Sequence, residues 1–568
     1  MVKSDLHGDL SPWRTYASRE LGIFFAFSPE HAGQPAKLAW NKPGTIGCLI
    51  SGDAFIASSD VELHLIQLYE ELGLDALERL NGWFSGILID LRQRQAVLFN
   101  DRYGVGRIYV REENRRVLFA TAAKSLLAAV PKLRGLDGRS LGEWFSCGCV
   151  LGNRSLFRGI SLLPPGSAWI FSEGVLRKKS YFIPDKWENQ PLLSPSEFSQ
   201  RFRETFPRVL DRYTNGSQPI AMSLTGGVDS RMIVAWTHAN GRKVPCYTFN
   251  GSYRDSVDSR LARKVAAACN QPHQTISVGD EFLAQFPKLA GETVQITDGA
   301  MDVSGAAELY VNRLARQIAP VRLTGNYGSE ILRRHVAFKP RALAPKLFAP
   351  DFIPHIAAAA NTYSEHAHGN ALSFIAFKQI PWHHYARFAI ERSQITVRSP
   401  FLDNELVALA FQAPAEARKG PILSSGVSAD VNSALSRIPT DRGFSYSSHQ
   451  VTNHLRHSVE EFLTKAEYAY DYGMPNWLAR IDRALQPLQL ERLFLGRQKF
   501  CHFRTWYRHE LAAFVREVLL DARSRSRPYL NGAELEPSVN AHVRGFCNYT
   551  VEIHKLLSLE LLHRALLD

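Results

Sequence analysis

Between two apolar runs, IAMSL at 220–224 and MIVAW at 232–236, lies the stretch T-G-G-V-D-S at 225–230. Gly226 and Gly227 let the backbone come close to an anion, and a helix starting after them would aim its free N–H groups and its dipole at phosphate oxygens. Thr225 and Ser230 add hydroxyl donors beside Leu224. Asp229 is the discordant member, because a carboxylate repels phosphate unless a divalent cation lies between them. That set of groups points to ATP with magnesium; a Gly-Gly turn capped by Asp and Ser is the other reading of the loop by itself. The P-loop spacing G-x-x-x-x-G-K-[ST] is absent.

Other chemistry-bearing residues are fewer. Seven cysteines, at 48, 147, 149, 246, 269, 501 and 547, are scattered and odd in number, which predicts a reducing cytoplasm and no disulfide framework. Cys147 and Cys149 have no second pair at zinc spacing. His383 and His384 read as a polar helix face. Arg254, Asp255 and Asp258 follow a predicted strand and either cap a helix or face a ligand. Asp298 and Asp302 line an acyl pocket or shape a turn. The net charge of +12 is spread along the chain, with one basic run, ILRRHVAFKPRALAPKLFAP at 331–350. It reads first as a solvated face and second as an attractor of pyrophosphate or an acidic substrate. No nucleic-acid module accompanies it, so no nucleic-acid partner is expected. No membrane span or secretory signal is read either, and the protein is expected in the cytoplasm.

The elements that must hold these residues divide in two. A chain of 568 residues exceeds one hydrophobic core. Up to about residue 180, short β-rich runs (GIFFAFS, GTIGCLISGDAF, WFSGILIDL, QAVLFNDR, IYVREENRRVLFAT, SAWIFSEGVL) surround two helical segments, SDVELHLIQLYEELG and AAKSLLAAV. This predicts an α+β layered domain, with the first helix capped by Ser59 or Asp60 and stopped at Gly73. YFIPDKWENQPLLSPSEF reads as a linker running into a capped helix. From Pro219, strands PIAMSL, KVPCYTFN, HQTISV and PVRLTG alternate with helices, which predicts a parallel, doubly wound α/β sheet. Ligands of such sheets sit beyond the carboxyl ends of the strands. After about residue 340 the pattern is mainly helical.

The T-G-G-V-D-S loop resembles the S-G-G-x-D-S loop of the ATP-pyrophosphatase superfamily. Four more blocks narrow the resemblance to the asparagine synthetase family, with β-lactam synthetase and lasso-peptide cyclases among its relatives. LTGNYGSEIL at 323–332 is similar to the family's S-G-x-G-S/G-D-E loop, and VRSPFLDNELVALA at 397–410 to its R-x-P-F-L-D block. LNGWFSGILIDLRQRQAVLFNDRYGVGRIYV at 80–110 resembles its N-terminal domain, and LFRGISLLPPGSAWI at 156–170 its F-R-G-I-x-x-L-P-P-G signature. The resemblance implies an N-terminal Ntn-type (class II glutaminase-like) α+β sandwich over 1–185. It implies an α/β doubly wound ATP-pyrophosphatase domain with a helical C-terminal part over 195–568. It places the nucleotide on Leu224, Thr225, Gly226, Gly227, Asp229, Ser230, Thr248, Phe249, Thr324 and Gly325, and magnesium on Asp229 and Glu330.

Three departures are visible. Residue 2 is Val where glutamine-using relatives carry the nucleophilic Cys, which predicts a glutaminase-like domain without glutaminase chemistry. With Asn326 read as an insertion, Glu330 stands at a magnesium-binding Asp, and Tyr327 stands where relatives have an acid or a catalytic Tyr. Tyr327 then helps deprotonate an amine, given a partner that lowers its pKa, or else packs on adenine. In IPTDRGF at 438–444 the family's Lys becomes Asp441, and Arg442 either takes over as charge clamp or is a salt-bridged structural residue. The expected function is an ATP-dependent, AMP-forming carbon–nitrogen ligase that adenylates a small-molecule or peptide carboxylate and transfers it to an amine in specialised biosynthesis. A homodimer or a biosynthetic partner protein is compatible with that role. The alternatives are an asparagine synthetase using ammonia or glutamine, a tRNA-modifying enzyme, and a non-catalytic scaffold on this fold.

Overall fold

The computed structural model describes residues 13–568 apart from 30–35, 57–59, 114–115, 217, 449, 486–490 and 492–493. The expectations on Val2 and Ser59 lie outside the described residues. In the N-terminal part, six antiparallel strands run in the order 175–180, 167–172, 95–100, 81–90, 46–55, 36–40. Successive side chains of a strand point to opposite faces, and the sequence follows that period. Leu49, Ile87, Ile89 and Ala96 pack with Phe25 and Phe27 of the hairpin Arg14–Ser18/Ile23–Phe27. Cys48, Ile50, Leu88, Val97 and Phe99 pack with Leu65, Ile66 and Tyr69 of the helix Val61–Leu72. That helix is capped by Asp60, which accepts the Leu63 N–H, and ends at Gly73 with φ 60°.

The segment expected to link the two parts is packed instead. Its helix Asp185–Glu188 buries Trp187 against Phe182, Phe377 and Phe411, and Arg102 lies over the Phe182 ring. Charge and Pro content suggested solvent; one indole was enough to anchor the segment. Ser194 then opens Pro195–Thr214 with a full capping box to Glu197.

The second part is built on five parallel strands: β1 (Ile220–Ser223), β2 (Cys246–Gly251), β3 (His273–Val278), β4 (Val321–Thr324) and β5 (Thr396–Arg398). Their order is β3-β2-β1-β4-β5, so the winding reverses between β1 and β4, which pair Ile220 with Val321 and Ser223 with Thr324. Helices α1 (Val228–Ala239) and α2 (Val257–Ala268) follow β1 and β2, and the short α3 (Gly328–Arg333) follows β4. The chain beyond residue 340 is mainly helical apart from β5.

The two parts share a core. Trp83, Tyr103 and Val105 belong to the same buried cluster as Met222, Leu224 and Met232. Arg398, the last residue of β5, forks onto Asp53 at 2.6 and 3.2 Å, and Asn404 donates to Leu80 O while accepting from the Tyr103 hydroxyl. Among the described residues no helix is long and apolar enough to cross a membrane. All seven cysteines are free, and among the described residues no group of three or more His, Cys, Asp or Glu is placed to hold a metal.

Candidate functional site

The switch point between β1 and β4 brings two loops together, residues 224–227 and 325–327. The second loop and the start of α3 press on the first turn of α1: a Cβ on Gly325 would lie 2.5 Å from the Ser230 N, and one on Gly328 would lie 2.4 Å from the Asp229 carboxyl carbon. Only glycine permits that approach. Gly227 is the N-cap of α1, so the loop ends on a helix N-terminus, the site that open α/β sheets offer to phosphates.

Within the first loop the polar groups already have partners. The Thr225 N–H donates to Ser230 Oγ at 3.2 Å and the two hydroxyls lie 3.1 Å apart. The Gly227 N–H donates to Thr225 Oγ1 at 3.2 Å, and the Gly226 N–H to Asp258 Oδ1 at 2.9 Å. Leu224 donates to Tyr247 O, and Thr248 returns its hydroxyl to Leu224 O at 2.7 Å while meeting His273 Nε2 at 2.8 Å. Thr248 thus fixes the loop's root. Phe249 packs on Tyr247 and Phe500, under the Arg322 guanidinium. Thr324 is buried, and its hydroxyl accepts the Asn326 N–H at 3.2 Å.

Arg231 escaped the motif reading. From the first turn of α1 its guanidinium donates to Gly226 O, Ile438 O and Pro439 O at 3.2, 2.6 and 2.9 Å. The Asp441 N–H also reaches Gly226 O, at 3.2 Å. The late segment that carries Arg442 is therefore bonded to the first loop. Arg442 itself is 56% exposed, with its Nε 3.8 Å from Asp441. Asp258, whose alternative was helix capping, leaves that task to Ser256 and holds the loop instead. Burial, together with the neighbouring Asp441, pushes the Asp258 carboxyl up to about 6.

Asp229 and Glu330, the two candidate metal ligands, are held differently. Arg333 of α3 forks onto Asp229, with Nη1 at 3.0 and Nη2 at 2.5 Å from its oxygens. Burial raises the Asp229 carboxyl even so. Glu330 accepts from Ser329 Oγ at 2.7 Å and lies 3.7 Å from His384 Nε2. Two carboxylates from facing loops have the oxygen chemistry that magnesium takes. One of them, however, already has a cation.

Tyr327 has φ 72°, in the left-handed region that glycine enters freely. Residues 324–330 then fit S-G-x-G-S/G-D-E without an insertion: Tyr327 takes the second Gly, Ser329 the Asp and Glu330 the Glu. The Gly328 N–H donates to Gly325 O at 3.3 Å, which closes the turn 325–328. In this register the variable acid position is Asn326. The base role expected of Tyr327 also meets the wrong environment. Its ring is buried edge-on to Trp83 and His384, and burial with the nearby Glu391 and Glu330 carboxylates holds the phenol well above 10. The Tyr327 ring forms a wall of the site.

That wall bounds a cavity of about 180 Å³, lined by Asn326, Tyr327, Glu330, His384, Arg387 and Glu391 among others. Arg387 pairs with Glu308 and stands 3.5 Å from Glu391, which Arg322 meets at 3.2 Å. Burial and Arg387 hold His384 down at about 4, so the imidazole is neutral at physiological pH. His383 stacks flat on Phe338 and takes no part. Asp298 caps the helix Ala123–Ala129, accepting Ala123 N–H at 2.7 and Lys124 N–H at 3.1 Å, and Asp302 accepts the Ser304 N–H. Both shape turns, and neither is among the residues lining the cavity.

The fold and site define a class: an Ntn-type α+β domain joined to an α/β domain of the ATP-pyrophosphatase type. Residues 48–182 match the glutamine amidotransferase domain model and 201–393 the asparagine synthase model. The chain belongs to the asparagine synthetase-like family, with an N-terminal glutaminase-like domain. It is 28% identical over 257 residues to Amidase chry2 of Gibberella zeae, covering 40% of this chain and 36% of that protein. It is 27% identical over 232 residues to asparagine synthetase [glutamine-hydrolyzing] of Zea mays (39% and 34%). With asparagine synthetase [glutamine-hydrolyzing] 1 of Bacillus subtilis it shares 22% over 298 residues (52% and 46%). The chain thus spans between 34% and 46% of the length of these relatives.

Proposed function

We propose that this chain is an ATP-dependent amide-forming ligase that activates a carboxylate as its adenylate and releases pyrophosphate. The observation that supports it most is the meeting of the loops after β1 and β4, closed at Gly325 against Ser230, at the switch point of the sheet. The α1 N-terminus and the hydroxyls of Thr225 and Ser230 receive the phosphates; Leu224, Thr248, Phe249, Thr324 and Gly325 form the surrounding bed. Asp229 and Glu330 are the carboxylates that would hold magnesium, which would screen the phosphate charge. Arg442, on the segment bonded to the first loop through the Asp441 N–H, is the candidate clamp for developing negative charge. The polar cavity beside Glu330 and Glu391 receives the substrate.

A carboxylate oxygen attacks the α-phosphate and pyrophosphate leaves. An amine then attacks the acyl carbon, loses a proton, and AMP departs. Shared burial of Trp83, Tyr327 and Phe388 keeps water from that side. The names of the relatives support amide chemistry; a role in specialised peptide or small-molecule cyclisation is part of the proposal. The test is release of AMP and pyrophosphate from ATP with panels of carboxylates and amines. Amide formed in step with pyrophosphate supports the reading. AMP and pyrophosphate without any amide overturns it, and an absence of ATP binding favours a scaffold.

A further inference from the structure

The Asp229–Arg333 pair is a charged contact that crosses between the two loop-and-helix units of the site. Asp229 lies in the first turn of α1, whose N-terminus faces the phosphates; Arg333 ends α3. The fork takes both carboxylate oxygens, at 3.0 and 2.5 Å, and Arg333 and Asp229 side chains are only 20% and 15% exposed. Gly328 lies so close under the carboxylate that no side chain fits there, which leaves Asp229 little freedom to turn away. A guanidinium stays charged at every physiological pH and matches a carboxylate or a phosphate equally well. Its neighbour Glu330 contributes a second negative charge that Arg333 also feels.

We propose that Arg333 is a built-in counter-cation for Asp229. It screens that carboxylate so that nucleotide phosphates enter the cradle before any metal does, and it competes with magnesium for the same two oxygens. The proposal rests on the nucleotide reading of residues 224–230. It follows from position: phosphates at the α1 N-terminus would otherwise face a bare buried carboxylate, and the cation that removes this repulsion is part of the chain.

The test is calorimetric binding of α,β-methylene-ATP to the full chain, in EDTA and across a magnesium titration, with Arg333→Gln, Arg333→Lys, Asp229→Asn and the Asp229→Asn/Arg333→Gln double variant. The wild type is expected to bind the analogue in EDTA. Arg333→Gln is expected to weaken this at least tenfold while lowering the magnesium concentration needed for half-maximal binding, and Arg333→Lys to restore part of the loss. The double variant, which removes both charges and leaves no unpaired buried ion, is expected to bind in EDTA within about threefold of wild type. It also keeps the test decisive if Arg333→Gln fails to fold. Equal binding in EDTA by wild type and Arg333→Gln, or failure of the double variant to recover, overturns the proposal. Absence of binding by every variant with and without magnesium overturns the nucleotide reading itself.

Discussion

Two buried aspartates, one in each half of the molecule, are held in opposite ways. Asp101, in the turn 101–106 of the N-terminal part, accepts backbone N–H groups from Phe84, Tyr103, Val105 and Gly106 at 3.3, 2.9, 3.3 and 2.6 Å. Asp229 is held by one guanidinium. A carboxylate saturated by main-chain donors cannot change partners without the turn coming apart. One held by a side chain can exchange it for a ligand. Asp298 follows the first pattern, with two amides from the helix Ala123–Ala129. The difference separates a buried acid that builds the scaffold from one whose partner can be exchanged, although burial raises all three.

The comparison breaks most visibly at Asp101. Asp101→Ala strips the acceptor from four buried amides, and at about 1–3 kcal/mol for each unmet group the expected loss is on the order of 5 kcal/mol in urea unfolding. Asp229→Ala unpairs the partly exposed Arg333 and is expected to cost about 3 kcal/mol, the low end for breaking such a pair, with its main effect on nucleotide binding. Equal destabilisation by the two would erase the distinction.

Gly325→Ala tests the contact of the two loops. A methyl group 2.5 Å from the Ser230 N must push the backbones apart. The expected outcome is a loss of about 1–3 kcal/mol and at least tenfold weaker nucleotide binding by calorimetry, with the N-terminal part untouched.

Asp258 sharpens the comparison through pH. Its carboxyl rises from an ordinary 3.8 to about 6 in the folded chain. Protonated Asp258 is therefore favoured by folding: the contribution is fully present below about pH 3.8 and is lost as pH rises through about 6. Wild type is expected to lose on the order of 3 kcal/mol from this group across that window, and Asp258→Asn to show a correspondingly flatter pH profile of unfolding.

The smallest effect on stability is expected at Arg442. More than half exposed, it should change unfolding free energy by less than about 0.5 kcal/mol when replaced by Ala. Amide formation by Arg442→Ala should nevertheless fall about a hundredfold if the side chain clamps transition-state charge. A drop in activity below threefold removes Arg442 from the site.

The fold was legible wherever local periodicity and burial agree. The apolar run in GTIGCLISGDAF and the strand–helix alternation after Pro219 gave the elements with ends within a few residues, because these strands are buried on both faces and are bounded by turn residues. The T-G-G-V-D-S loop was legible through its resemblance to a family motif together with four further blocks; its glycines by themselves left a plain turn open. Arg333 was not: in the run ILRRHVAFKPRALAPKLFAP it looks like any other cation, and its partner lies 104 residues earlier. Arg231 was hidden for the same reason, since carbonyl acceptors have no sequence signature. Tyr327 misled because a motif is read by side chain, whereas its position is chosen by φ. Trp187 shows the converse error, a polar stretch taken for a linker although one aromatic residue anchors it.

The adjacency of β1 and β4 has a consequence for synthesis of the chain. Ile220 leaves the ribosome about 100 residues before its partner Val321 does. At roughly 5–20 residues per second, β1 waits on the order of 5–20 s with one edge unpaired. During that interval the first loop exists without the second, and the centre of the sheet can offer its hydrogen bonds to a stranger. Completion of the site and closure of the vulnerable edge are then the same event, so growth temperature and translation rate should govern the yield of folded protein.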